Sequence, residues 1–208
     1  MRKALGVLWL SALAVAVIAG GRLAFSGKIE DWNDNMIDEM TFVQEGPWAG
    51  NYDVVQVEPL DMSRAEISGN EKGKAAAEEA AGQMNGWCQK AIREGYGTGL
   101  PNVLGENEEP SPGAHVATLR WRCESIDPGS RAARFWVGFG AGHSGVTLSG
   151  SLVDKASGKE LATFKHCRVS GKGGAITGGR YHVILNQCAV WTAEDVGKML
   201  GVVLRTKK

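Results

Sequence analysis

No aspartate or glutamate occurs in the first 26 residues of this 208-residue chain, and no cysteine stands before Cys88. The acid-free start carries Arg2 and Lys3 ahead of an apolar run from Ala4 to Ile18, the shape of a secretory signal peptide. Small residues follow at Ala19, Gly20 and Gly21, so cleavage is expected after Ala19 or, by preference, after Ser26. The alternative is an uncleaved inner-membrane anchor formed by residues 4–21, close to the ~17 to 25 residues a spanning helix needs. The missing cysteine excludes a lipid anchor of the bacterial lipoprotein kind. Basic excess is absent too, with 23 lysines and arginines against 23 acids. Loss of Arg2, Lys3 and Arg22 lowers the basic count to 20 and leaves a net charge near −3. That argues against nucleic acid as a partner, which calls for a basic surface.

Catalytic patterns are also missing. No Gly-x-Ser-x-Gly elbow occurs, and Ser144 lacks the strand-to-helix turn of a nucleophile. Gly140-Ala141-Gly142-His143-Ser144-Gly145 has the letters of a dinucleotide fingerprint, but Val146-Thr147-Leu148-Ser149 continues as a strand where a helix is required. The histidines, His115, His143, His166 and His182, have no spacing that forces a metal site. An enzyme would need His143, His166 and His182 gathered around one pocket. No cofactor is expected. A second glycine-rich stretch, Gly171 to Arg180, precedes a helix, and its backbone N–H groups with Lys172, Gly173, Gly174 and Arg180 form a candidate anion site. The Walker pattern is missing there, so the competing reading is a solvated surface loop.

The four cysteines, Cys88, Cys123, Cys167 and Cys188, are spaced 35, 44 and 21 apart, which fits no compact metal motif. An even number in an exported chain suggests two disulfides. Element types alone suggest a helix-to-helix pair Cys88–Cys188 and a strand-to-strand pair Cys123–Cys167.

Three segments are expected: a signal peptide or anchor at 1–26, a polar approach at 27–50 with one short helix at 34–40, and one domain at 51–208. Tyr52, Val54, Val55 and Val57 suggest a first strand. Ser68 and Glu71 form a capping-box signal before an alanine-rich helix that ends near Gly95 or Gly97, with Gly82 and Gly86 weakening its middle. From His115 to Ile126, Ala117, Leu119, Trp121 and Cys123 alternate with Thr118, Arg120, Arg122 and Glu124, as in a half-buried antiparallel strand. A hairpin follows, Val146 to Leu152 and Leu161 to Val169, turning at 154–159 on Gly158. A second helix is expected within Tyr181 to Leu204, with Thr192 as a possible break or start. The expected fold is α+β: a small, mainly antiparallel sheet of about four strands, including a central hairpin, with two longer helices on one face.

Eleven of the 29 glycines fall within 135–180, in that hairpin and its flanks. The order Gly138-Phe139-Gly140-Ala141-Gly142, alternating strand, Leu152-Val153-Asp154, Ser157-Gly158-Lys159-Glu160-Leu161, second strand, glycine loop and helix resembles the bacterial exported family called domain of unknown function 4410. The resemblance runs from Val54 to Leu200 and is sharpest over Phe135 to Gly179. It implies a small envelope domain, commonly a lipoprotein, related in layout to accessory domains that dock on other proteins; it carries no activity. This chain departs by lacking a lipobox cysteine and holding four cysteines in its body. The expectation is an exported, periplasmic or envelope domain without catalytic activity that docks on an envelope protein or polymer. The alternative is a small-ligand or anion-binding periplasmic protein using 171–180.

Overall fold

The computed structural model describes residues 17–19, 22–32, 36–98, 101–130, 142–170 and 180–205. Its centre is the expected hairpin. β7 (Val116–Asp127), β8 (Gly145–Asp154) and β9 (Glu160–Val169) pair antiparallel in sequence order. Gly158 takes the turn at φ 69°, a conformation glycine adopts without steric cost. Asp154 braces the same turn by accepting from the Ser157 N–H at 2.6 Å and the Ser157 hydroxyl at 2.7 Å.

The sheet around this hairpin is larger than the small four-stranded one expected, and it is mixed. The remaining strands are β1 (Val17–Ala19), β2 (Arg22–Asp31), β3 (Ile37–Gly46), β4 (Val54–Val57), β5 (Glu66–Ile67) and β6 (Asn102–Leu104). The order is β1-β2-β3-β9-β8-β7-β4-β6, with β5 beside β7. β4 runs parallel to both β6 and β7, and β5 runs parallel to β7. The physical reason is α1 (Glu71–Tyr96), which carries the chain back across the sheet between β5 and β6. Such a crossover permits parallel pairing, which a hairpin cannot supply. The stretch read as a polar approach contributes β3 and part of β2, and the short helix expected at 34–40 gives way to the start of β3. β3 then pairs with β9 from Glu39 to Phe42, joining the two ends of the sequence in one sheet.

Side-chain alternation divides the sheet into two faces. One inward row runs Trp121, Gly150, Phe164, Met40 and Ile29 across five strands. Both helices pack on this side. α1 is capped by Asn70, whose side chain accepts from the Gly73 N–H at 2.9 Å, so the cap lies two residues beyond Ser68. It ends at Gly97, φ 75°, within the expected range. α2 (Tyr181–Leu204) is continuous through Thr192. The Thr192 hydroxyl is spent on the Cys188 carbonyl one turn back, at 2.7 Å, so it does not start a helix there. Ile184, Leu185, Ala189, Val196 and Leu200 are fully buried, making α2 the centre of the core. Among the described residues no helix is long and apolar enough to cross a membrane.

The expected disulfides are not formed: all four cysteines stand as thiols. Cys123 and Cys167 lie two strands apart, Cys123 opposite Leu148 and Cys167 opposite Thr147, so their side chains leave opposite faces. Two strand spacings are about 9.5 Å, beyond the ~7 Å Cα limit for a bridge. Cys88 and Cys188 sit on facing helices but aim apart. The Cys88 thiol lies 3.7 Å from the Ala189 carbonyl, whereas the Cys188 thiol lies 3.5 Å from that of Ser144.

Candidate functional site

The face away from the helices is polar and uncovered by any described element. Two outward rows cross five strands in register: Arg120, Ser151, Thr163, Thr41 and Lys28, then Arg122, Ser149, Lys165, Glu39 and Glu30. Short hydroxyl side chains on β8 and β9 form the floor, and the long arginines of β7 stand beside them. The result is a shallow concavity of about 580 Å³ whose lining includes Arg120, Arg122, Ser149, Ser151, Thr163 and Lys165.

Most charges in these two rows are paired, Lys165 being the exception. Arg120 meets Glu58 at 3.2 Å, Arg122 meets Glu124 at 2.7 Å, and Lys28 meets Glu39 at 2.9 Å. The Ser149 hydroxyl also donates to Glu124. These hydrogen bonds, Ser149 first and Arg122 next, hold the Glu124 carboxyl below its ordinary range. The Trp121 indole N–H reaches the Glu58 carbonyl at 2.7 Å and ties the concavity's rim to β7. A surface of neutralised charges and hydroxyls offers many hydrogen-bonding groups without a strong field of one sign. That favours a polar partner laid along the sheet over a concentrated anion.

A second polar cluster is buried on the opposite side. His166 of β9 is 1% exposed and lies against two carboxylates. Its Nε2 is 3.2 Å from Asp195 of α2 and its Nδ1 is 3.2 Å from Asp38 of β3. Asp195 also accepts from Arg168 at 2.6 Å and from Lys198 at 3.2 Å. Burial works to raise the Asp195 carboxyl, but hydrogen bonds from His166, Arg168 and Lys198 outweigh it and hold the pKa at about 2. The Asp38 carboxylate accepts from the Cys167 N–H at 2.8 Å. Apart from the Lys198–Asp195 contact within α2, these contacts join α2, β9 and β3, so the cluster's chemistry is that of a clamp between helix and sheet. Sequence reading passed over Asp38, Asp195 and Arg168, since only their positions in the fold bring them to His166.

The other candidate residues lie elsewhere. Lys172, Gly173 and Gly174 fall outside the described residues. Arg180 is the N-cap of α2; its carbonyl accepts from the Val183 and Ile184 N–H groups, and its side chain makes no capping bond. The His143 Nδ1 contacts the Ser170 carbonyl, His115 is exposed at the start of β7, and His182 is exposed in the first turn of α2. His143 and His166 thus have separate sets of partners. Among the described residues no group of three or more histidine, cysteine or acidic side chains could hold a metal ion. Gly145 opens β8 directly, so the last letter of the dinucleotide pattern begins a strand. Ser144 is fully buried: its hydroxyl donates to the Pro128 carbonyl at 2.5 Å and its N–H to the Ser170 hydroxyl at 2.9 Å.

Two helices on one face of a mixed sheet, with the other face polar and open, define an α+β domain. The chain belongs to the family described as Domain of unknown function (DUF4410), which matches residues 55–174. No curated protein matches it. Among solved structures it is similar to the PelC dodecamer from Paraburkholderia phytofirmans, at 14% identity, 80% coverage of this chain, 98% of that one and a TM-score of 0.45. It is also similar to a Xanthomonas campestris protein of the DUF330 family, at 8% identity, 73% and 85% coverage and a TM-score of 0.39.

Proposed function

We propose that this chain is a non-catalytic, exported accessory domain of the cell envelope that docks on another envelope protein or polymer through its open sheet face. The observation that carries the reading is the pair of outward rows, Arg120 to Lys28 and Arg122 to Glu30, which place ten polar side chains in register on one uncovered surface. The acid-free, apolar N-terminal stretch supports export. Paired charges on the face match a polar partner, because rim ion pairs can be exchanged across an interface at little net cost.

The test is site-specific photo-cross-linking in the native host. Cross-linkers at Ser151 and Thr163 are expected to capture one dominant partner, and a cross-linker at Glu79 on the outer face of α1 is expected to capture none. The double variant Arg120→Glu/Arg122→Glu should lose the capture while keeping the fold, read by circular dichroism. Equal capture from all three positions, or none from Ser151 and Thr163, would overturn the proposal.

A further inference from the structure

Between the turn of the hairpin and the loop ahead of β7 lies a cleft of about 650 Å³, within the roughly 300–1,000 Å³ of small-molecule sites. It shares no lining residue with the concavity of the open sheet face. Its apolar lining is Pro110, Pro112, Ala114, Val116, Ala156 and Tyr52. Both walls are held by hydrogen bonds of their own. On the loop side the Ala114 N–H donates to the Ser111 carbonyl at 3.1 Å, and the His115 N–H donates to the Asp53 carboxylate at 2.9 Å. The Asp53 N–H returns to the His115 carbonyl, also at 2.9 Å. On the turn side the Tyr52 hydroxyl donates to Asp154 at 3.1 Å, and the Lys155 N–H donates to the Val116 carbonyl at 3.0 Å. A cleft fixed in this way spares a ligand the cost of ordering it.

The charged groups of this cleft are unequally available. Asp154 is the carboxylate of the lining, and both its oxygens are occupied. Its Oδ1 accepts from the Ser157 N–H and hydroxyl, and its Oδ2 from Tyr52. Asp53, behind the loop, spends its Oδ2 on the His115 N–H. Lys155 is the cation of the lining, exposed, and its Nζ donates to a neutral acceptor, Gln56 Oε1, at 2.8 Å. An ammonium has three N–H donors, so two remain for a ligand. We infer that this cleft binds a small amphiphilic anion, with an apolar body against the prolines and Tyr52 and one carboxylate, sulfonate or phosphate group on Lys155. A cationic ligand would meet a like charge there and find the carboxylate already bonded. The site is separate from the proposed docking surface, so either can fail without the other.

The probe is 8-anilinonaphthalene-1-sulfonate, an aromatic body with one sulfonate. Fluorescence titration of the purified full chain should show one saturable site, with Kd on the order of tens of micromolar for a molecule of that size. Ala156→Trp, at an exposed turn position, should fill the cleft and raise Kd about tenfold or more. N-phenyl-1-naphthylamine, the same body without the sulfonate, isolates the charge. Lys155→Gln should weaken the sulfonate probe about threefold and leave the neutral one within about twofold, as expected of one exposed ion pair. Absence of a saturable site, or a site that Ala156→Trp leaves intact, overturns the inference. Equal weakening of both probes in Lys155→Gln also overturns it, because the lysine would then be wall and not the anion's partner. Circular dichroism of each variant separates loss of the site from loss of fold.

Discussion

Adding a single methyl group to α2 at Gly197 should cost more than any exposed substitution by alanine on either helix. A Cβ built there lies 2.2 Å from the Ile92 carbonyl oxygen and 2.9 Å from both the Ile92 carbonyl carbon and the Tyr96 nitrogen. These are backbone atoms of α1, so no side chain can rotate away. Gly95 on α1 is the reciprocal recess, where a Cβ would lie 2.1 Å from the Glu194 carbonyl oxygen. Relief requires the helices to separate by about 1 Å along a contact at core packing density. Overpacking of this kind costs roughly 1–3 kcal/mol, and we expect Gly197→Ala near the upper end because backbone must move. Gly82 gives the control. It lies in the same helix layer with nothing within 4 Å of a built Cβ, so Gly82→Ala should stabilise by about 1 kcal/mol through helix propensity alone. Urea unfolding followed by far-ultraviolet circular dichroism measures both at equal m-value. The two alanines should therefore differ by about 4 kcal/mol, on the order of 8–16 °C in Tm for a domain of this size. A difference below about 0.5 kcal/mol would refute the claim that the helices meet backbone to backbone at these glycines.

Three further outcomes follow from the same contacts. Asp195 has its folded pKa near 2, below the unfolded value of 3.8, so its contribution is present above about pH 4 and lost as pH falls toward 2; the shift corresponds to about 2–3 kcal/mol, and Asp195→Asn should flatten the stability profile in that window. Burial pushes the Cys123 thiol up to about 12 and raises that of Cys88 as well, so in the native protein the half-buried Cys167 should react first with iodoacetamide; peptide mapping that finds Cys88 or Cys123 alkylated first would contradict this burial. Gly150→Ala would set a methyl 2.4 Å from the Arg120 carbonyl oxygen and 2.8 Å from the Phe164 ring, and should cost at least 1–3 kcal/mol by the overpacking argument, read as a lowered urea midpoint.

Local pattern and non-local pairing explain what was legible. β7 was readable because Ala117, Leu119, Trp121 and Cys123 alternate with Arg120 and Arg122, and the fold keeps that division up to a bulge between Cys123 and Ser125, except that Thr118, expected outward, is buried. β8, β9 and both helices were readable from local signals as well. β3 was not. Its Met40 and Phe42 face the core between Glu39 and Thr41, but acids are poor strand formers and Gly46-Pro47 closes the window. β5 and β6, two and three residues long, fall below any periodic signal. The parallel pairing of β4 with β7 has no local mark at all, since it depends on how α1 crosses the sheet. The open face was half legible. Arg120, Arg122 and Glu124 were assigned outward, whereas Thr41, Glu39 and Lys28 joined them only through the β3–β9 ladder.

That ladder also orders the birth of the molecule. Phe42 finds its partner at Ala162, and the Asp38 N–H meets His166 at a separation of 128 residues. A ribosome delivers β3 early and β9 late, so for most of synthesis the β2–β3 pair has an unfilled flank. Closing so long a loop is slow, and an open strand waiting for it is exposed to foreign pairing. The sheet is therefore closed only when its late strand reaches its early one, and a chain interrupted before residue 160 would leave β3 without its β9 partner.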